Sequence, residues 1–170
     1  MVARLDFLQI PFALIGAEAL ALRGLSHSTL DRDLLTTDPH ALDAAIWTAL
    51  AESGARFEIR RGDAEDPLAG VVRFEAEGER PVNLIVGRHA WPTCILERSE
   101  IMDLGDLRVA VPRTADLILL KLYAGGPQDA WDVAQLLADE DRAALVAEVD
   151  SRAHDLPADS RRLWGKILAV

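Results

Sequence analysis

The chain has 170 residues, half of them hydrophobic, with 18 Lys and Arg against 28 Asp and Glu, a formal net charge of −10. This length and apolar content can close one core without metals or disulfides, and the acidic balance argues against a nonspecific nucleic-acid surface, which needs a basic stripe. The single Cys94 excludes an internal disulfide and fits a reducing cytoplasm. No apolar run reaches the roughly eighteen residues that span a membrane.

In chain order, Val2 to Ile10 reads as a short helix stopped by Pro11. Phe12 to Ile15 has the length and composition of a strand, closed by Gly16, and Ala17 to Leu22 has helical character. The N-terminal stretch lacks a basic lead and a small-residue cleavage site, so no secretion signal is expected. After a polar turn, Asp33 to Thr36 reads as a strand. Asp38 is placed to cap a helix with Pro39 in its first turn, running from His40 to about Ser53 and ended by Gly54. Its apolar face would be Ala41, Leu42, Ala45, Ile46, Ala49 and Leu50. Phe57–Ile59, Val71–Glu75 and Val82–Val86 read as strands around the acidic loop Gly62–Pro67 and the turn Glu77-Gly78-Glu79, and Leu107–Val111 as one more.

From Thr114 the period becomes helical, with Gly125-Gly126-Pro127 separating the first two helices. The expected class is α+β: a mixed sheet flanked by helices in residues 1–112, with residues 113–170 as C-terminal helices packed on the same domain. Trp47, Trp91, Trp131 and Trp164 are expected to pack in the core or between helices, and Cys94 to serve as a small buried apolar residue.

The segment from Gly16 to Asp33 carries most of the chemistry. Strand side chains repeat every two residues, so Asp31 and Asp33 share a face, where two carboxylates repel unless a cation lies between them. Hard oxygen donors suit Mg2+, which binds one or two carboxylates plus substrate phosphates. Gly16, between a strand and a helix, allows the Gly16 and Ala17 amides close approach to a phosphate. The plain alternative is that either aspartate caps a turn. Glu18 fits a helix N-terminal acid with no catalytic role. Asp129 and Asp132, three apart on one helix face, are either a polar patch orienting Lys121 or a dipole-favoured acid and a surface acid. Arg56, Arg60, Arg61, Arg73, Arg80 and Arg88 read mainly as solvated strand residues, with a triphosphate or partner as the alternative. The histidines His40, His89 and His154 share no zinc-ligand spacing.

The stretch Ile15-Gly16-Ala17 followed by Asp31-Arg32-Asp33 resembles the signature of the nucleotidyltransferase superfamily typified by DNA polymerase beta. Gly24 and Thr29-Leu30-Asp31 resemble the spacing of minimal and abortive-infection-type bacterial members. A second block is similar to their downstream ending: Pro112-Arg113-Thr114-Ala115-Asp116-Leu117-Ile118-Leu119-Leu120-Lys121-Leu122, then Asp129-Ala130-Trp131-Asp132-Val133 and Leu136-Leu137. The likeness runs over about residues 10–138.

The resemblance implies a nucleotidyltransferase-type mixed sheet, with Asp31 and Asp33 as metal-binding catalytic acids. It implies nucleotide contacts from Gly16, Ala17, Thr29, Lys121 and Asp129. The chain departs from the pattern in several places. The third acid position falls on Asn83, which can offer oxygen but takes no proton; Glu75 on a neighbouring strand is the nearest substitute. His27 stands where arginine is common, Gly126 and Gln128 where basic residues are common, and Arg32 where an apolar residue is usual.

The implied function is Mg2+-dependent transfer of a nucleotidyl group from a nucleoside triphosphate to a small molecule, an RNA end or a protein side chain. The alternative is a catalytically impaired nucleotide-binding or protein-interaction module of toxin–antitoxin type.

Overall fold

The computed structural model describes residues 1–25, 29–64, 66, 68–138 and 141–169. A five-stranded mixed sheet holds, in spatial order, β1 (Ala13–Ile15), β2 (Arg32–Thr36), β5 (Val82–Gly87), β4 (Leu68–Glu75) and β3 (Arg56–Arg61). The β2–β5 pair is parallel and the other three are antiparallel. The α+β class expected from the sequence is what the chain adopts, with the helices α5 (Thr114–Ala124), α6 (Pro127–Leu136), α7 (Arg142–Asp150) and α8 (Ala158–Leu168) following the strands.

Register divides the sheet into two chemically opposite rows. Leu14, Leu34, Leu84, Val72 and Ile59 pair directly across the strands. The first four of these are fully buried. One residue along, Ile15, Asp33, Asn83, Arg73 and Glu58 pair in the same way and so project from the other face. The four buried residues of the apolar row belong to one core cluster that also holds Leu5, Trp47, Ile118, Leu122, Val133 and Trp164, and Ile59 packs against it partly buried. The strand segment and the C-terminal helices thus share one core. Each fully buried leucine contributes roughly 1.5–3 kcal/mol. Trp47 anchors the cluster: its indole nitrogen donates to the Ala41 carbonyl at 2.9 Å, and its ring meets Phe74 edge-on at 4.9 Å.

Several local expectations are corrected. The first helix, α1, spans Val2–Phe7 and ends before Pro11, with Gln9 at φ 57°. The long helix expected from His40 to Ser53 is two 3₁₀ turns, Pro39–Leu42 and Ala44–Trp47, followed by α3, Thr48–Glu52. Asp38 does cap, accepting from the His40 amide. Asp43 resets the chain by doing the same to Ala45 while its own backbone is extended, which interrupts the helical ladder. Besides the 3₁₀ turn Ala153–Asp155, a helix and a strand were not anticipated. Helix α4 (Ala90–Arg98) carries Pro92 in its first turn, where a missing amide costs little. Strand β6 (Glu100–Leu104) pairs with β7 (Leu107–Val111) across Gly105-Asp106, a two-residue turn with Gly105 at φ 62°. Cys94 is exposed rather than buried, because the α4 period turns Ile95 inward instead. Trp131 is half exposed. Among the described residues no helix is long and apolar enough to cross a membrane.

A buried carboxylate ties the helices together. Asp116 on α5 is fully buried and accepts from Arg98 of α4 at 2.6 and 3.2 Å and from Arg152 at 3.4 Å. The bonds that Arg98 donates to Asp116 raise the Arg98 pKa above the ordinary arginine value. Asp116→Asn is expected to lower the unfolding free energy by about 2 kcal/mol, the scale of a hydrogen bond to a charged group; urea denaturation measures it, and an unchanged midpoint would show that the pair carries no stability.

Candidate functional site

The turn into β2 is fixed locally. The Thr29 hydroxyl donates to the Asp31 carbonyl at 2.9 Å and lies 3.3 Å from the Asp31 amide, so this side chain holds the turn itself. Gly16 opens the seven-residue helix α2 (Gly16–Leu22) at φ 67°. A Cβ added there would stand 2.4 Å from Asp33 Oδ2. Glycine is therefore required twice over, by its backbone and by the close approach of the carboxylate. Ala17 follows in the first turn of α2.

Asp31 and Asp33 converge as their spacing requires, and the residue they converge on is Asn83. The Asn83 amide donates to Asp33 Oδ1 at 2.9 Å and reaches Asp31 Oδ2 at 3.5 Å. Strand register explains this: Asp33 and Asn83 are direct partners on parallel β2 and β5. Arg73, opposite Asn83 on β4, completes the row. Its Nη1 donates to Asp31 Oδ2 at 3.0 Å and to Asn83 Oδ1 at 3.1 Å, and its Nε donates to Glu75 Oε1 at 3.0 Å. The bonds it donates to Asp31 and then Glu75 raise the Arg73 pKa above the ordinary arginine value. Asp31 is thus balanced by a cation from inside the protein, whereas Asp33 receives only the neutral Asn83 amide. Glu75 lies on the guanidinium as an ion-pair partner. Among the described residues, no group of three or more His, Cys, Asp or Glu is arranged to hold a metal ion.

The other arginines of the middle segment are engaged within the chain. Arg32, between the aspartates, turns to the opposite side and forms a two-bond pair with Glu18 at 2.7 and 3.2 Å; Arg80 adds a third bond to Glu18 at 2.8 Å. Glu18 is accordingly a structural counter-ion. Arg60 pairs with Glu58, Arg56 with Glu75, and Arg61 and Arg88 donate to backbone carbonyls. Solvated or locally paired strand residues describe this set, with Arg73 as the functional candidate that the sequence pattern alone left in the group. The signal was present in the alternation Val71, Arg73, Glu75 against Val72 and Phe74, which puts Arg73 on the aspartate face once the strands are registered.

A second ionic cluster sits on α5 and α6. Lys121 Nζ lies 2.8 Å from both Asp129 Oδ1 and Asp132 Oδ2. Asp129 also accepts from the Gly126 amide at 3.0 Å, capping α6. Burial pushes the Lys121 pKa down, but its hydrogen bonds to the two carboxylates outweigh that and leave it raised. The reading of Asp132 as a surface acid is corrected: at 2% exposure it is buried against Lys121, while Asp129 caps the helix and holds the same lysine. His27 lies outside the described residues. A cavity of about 850 Å³ lined by Arg23, Glu100, Arg113 and Glu148 among others does not include Asp31 or Asp33, both of which are half-buried.

No protein-family model matches the sequence, and no curated protein matches it. Solved structures show the fold. The chain is similar to ANT(2")-Ia in complex with adenylyl-2"-tobramycin, with a TM-score of 0.56 at 11% identity over 88% of this chain and 91% of that one. The lincosamide antibiotic adenylyltransferase LnuA, bound to lincomycin, gives 0.50 at 11% identity over 79% and 90%. A nucleotidyltransferase-like protein from Paracoccidioides brasiliensis gives 0.51 at 15% identity over 94% and 88%. The chain has the nucleotidyltransferase fold.

Two substitutions test this local architecture. Gly16→Ala should destabilise the protein by at least about 1–2 kcal/mol from the left-handed backbone alone, read as a fall in urea midpoint; a neutral result would remove the close approach to Asp33. Lys121, with its raised pKa, contributes stability that is complete below the ordinary lysine pKa and is lost as pH climbs through the higher folded value. Stability of the wild type should therefore fall on alkaline titration beyond that of Lys121→Met, and parallel pH profiles would contradict the pairing.

Proposed function

We propose that the face carrying Asp31, Asp33 and Asn83 binds a nucleoside triphosphate with Mg2+ and transfers its nucleotidyl group to an acceptor hydroxyl. The observation that carries this reading is the convergence of Asp31 and Asp33 on one side-chain amide beside Gly16, in a nucleotidyltransferase fold.

The donor set fits the ion: Asp31 and Asp33 would hold it as hard oxygen ligands, with substrate phosphates completing its shell. When bound, Mg2+ neutralises phosphate charge and polarises the transferred phosphoryl group. The chain's own residues do the rest. Asn83 holds the Asp33 carboxylate in place. The Gly16 and Ala17 amides are the proposed phosphate donors. Lys121, kept cationic by Asp129 and Asp132, is the proposed triphosphate contact. Thr29 supports the nucleotide indirectly by fixing the Asp31 backbone. Tobramycin and lincomycin in the similar structures favour a small hydroxylated acceptor over RNA or protein.

One observation favours the second reading, nucleotide binding without efficient transfer in an interaction or regulatory role. Asn83 cannot take a proton from an attacking hydroxyl, and Arg73 already balances Asp31. Calorimetric titration with ATP, GTP, CTP and UTP should show binding that requires Mg2+ and weakens at least about ten-fold, the effect of losing one good charge interaction, in Asp31→Asn/Asp33→Asn. Incubation with labelled triphosphate and an aminoglycoside or lincosamide separates the readings: label on the acceptor supports transfer, binding without label supports the second reading, and no metal-dependent binding overturns both.

A further inference from the structure

The guanidinium of Arg73 has a place in this site that neither the fold nor the paired aspartates dictate. Its Nη1 stands between Asp31 Oδ2 at 3.0 Å and Asn83 Oδ1 at 3.1 Å, and its Nε is held by Glu75 at 3.0 Å. A divalent ion on Asp31 would therefore meet a fixed positive charge bonded to one of its own ligand oxygens, and the two cations repel. The pair is also exchangeable. Arg73 and Asp31 side chains are 36% and 31% exposed, and ion pairs this open are weakly held.

Resting on the magnesium–triphosphate reading above, we propose that Arg73 couples metal loading to nucleotide arrival by exchanging Asp31 for the triphosphate. Without nucleotide, the guanidinium neutralises Asp31 and disfavours a metal ion alone. When triphosphate arrives with its ion, the guanidinium releases Asp31 and Asn83 and takes phosphate oxygens, which suit its planar fork better than a single carboxylate oxygen does. Glu75, bonded to Nε rather than to the nitrogen that moves, serves as the tether for that rotation. Of the other charged groups around Arg73, Glu58 is already paired with Arg60 and offers no competing resting place, and Arg56 shares the Glu75 tether through its other oxygen. The charges balance through the triphosphate: a single positive charge leaves Asp31 as a divalent ion enters, and the phosphate oxygens compensate both the added charge and the displaced guanidinium.

The test uses Mn2+ as the probe, with free ion followed by its paramagnetic resonance signal, in the presence and absence of a non-hydrolysable ATP analogue. The wild type should bind Mn2+ weakly alone and much more tightly with the analogue. Arg73→Gln should bind Mn2+ alone about ten-fold more tightly, the change expected when one like charge is removed from beside an exposed cation site, and should bind the Mn2+–analogue pair more weakly. Arg73→Lys, which keeps the charge without the fork, should retain the poor affinity for Mn2+ alone and lose part of the gain from nucleotide. Wild type and Arg73→Gln with equal affinity for Mn2+ alone, while both bind the Mn2+–analogue pair, would overturn the coupling and leave the site reading intact. Failure of the wild type to bind Mn2+ even with the analogue would overturn the site reading and the coupling together. Thermal unfolding of each variant confirms that it is folded, and Arg73→Lys keeps the test decisive if Arg73→Gln is not.

Discussion

Two carboxylates forced onto one side of a strand must be reconciled with each other, and much of this molecule follows from how that is done. Asp33 is pinned by its register with Asn83, and Asp31, in the turn just before β2, is held toward it by the Thr29 hydroxyl and by its bonds with Arg73 and Asn83. Their repulsion is met by three devices: the Asn83 amide donates to both, the Arg73 guanidinium neutralises one, and Gly16 yields the space the other needs. Each device comes from a different element, so the site is assembled only when β2, β5, β4 and the start of α2 are in place. That dependence links the polar face to the core, since the same register that aligns Asp33, Asn83 and Arg73 aligns Leu34, Leu84 and Val72 one residue away.

Part of this was legible from period and from the family resemblance. Asn83, the third acid position of the resemblance, lies against Asp33, and Lys121 meets Asp129 and Asp132, although the bonds that hold that second cluster, among the described residues, do not include the aspartates at β2. Strand β7 was bounded by its residues alone, because Leu107–Val111 alternates between a turn and a proline. What escaped did so for physical reasons. The helix expected after Pro39 fails at Asp43, whose side chain captures a backbone amide, an event invisible to apolar periodicity. The Gly105-Asp106 turn carries a hairpin signal, but β6 itself has no clean alternation and two exposed apolar or acidic positions at its start. Arg73 was hidden because its role depends on which strand lies beside which, and the order β2-β5-β4 is a tertiary fact.

The contrast between the two ionic clusters is instructive. Lys121 is largely enclosed and held by two carboxylates, so its charge is fixed across ordinary pH. Arg73 is more open and shares acceptors with a site that has another use for them. The more enclosed cation suits a constant electrostatic role, and the more open one, whose acceptors belong to the site, suits exchange.

The central claim is that Asp31 and Asp33 together receive one divalent ion. Anomalous X-ray scattering from crystals grown with Mn2+ and a non-hydrolysable triphosphate measures this without reference to turnover. A manganese peak within coordination distance of both carboxylates, with phosphate oxygens in the same shell, is the expected result. Crystals with ordered triphosphate and no manganese at either aspartate, or manganese bound only elsewhere, would contradict it.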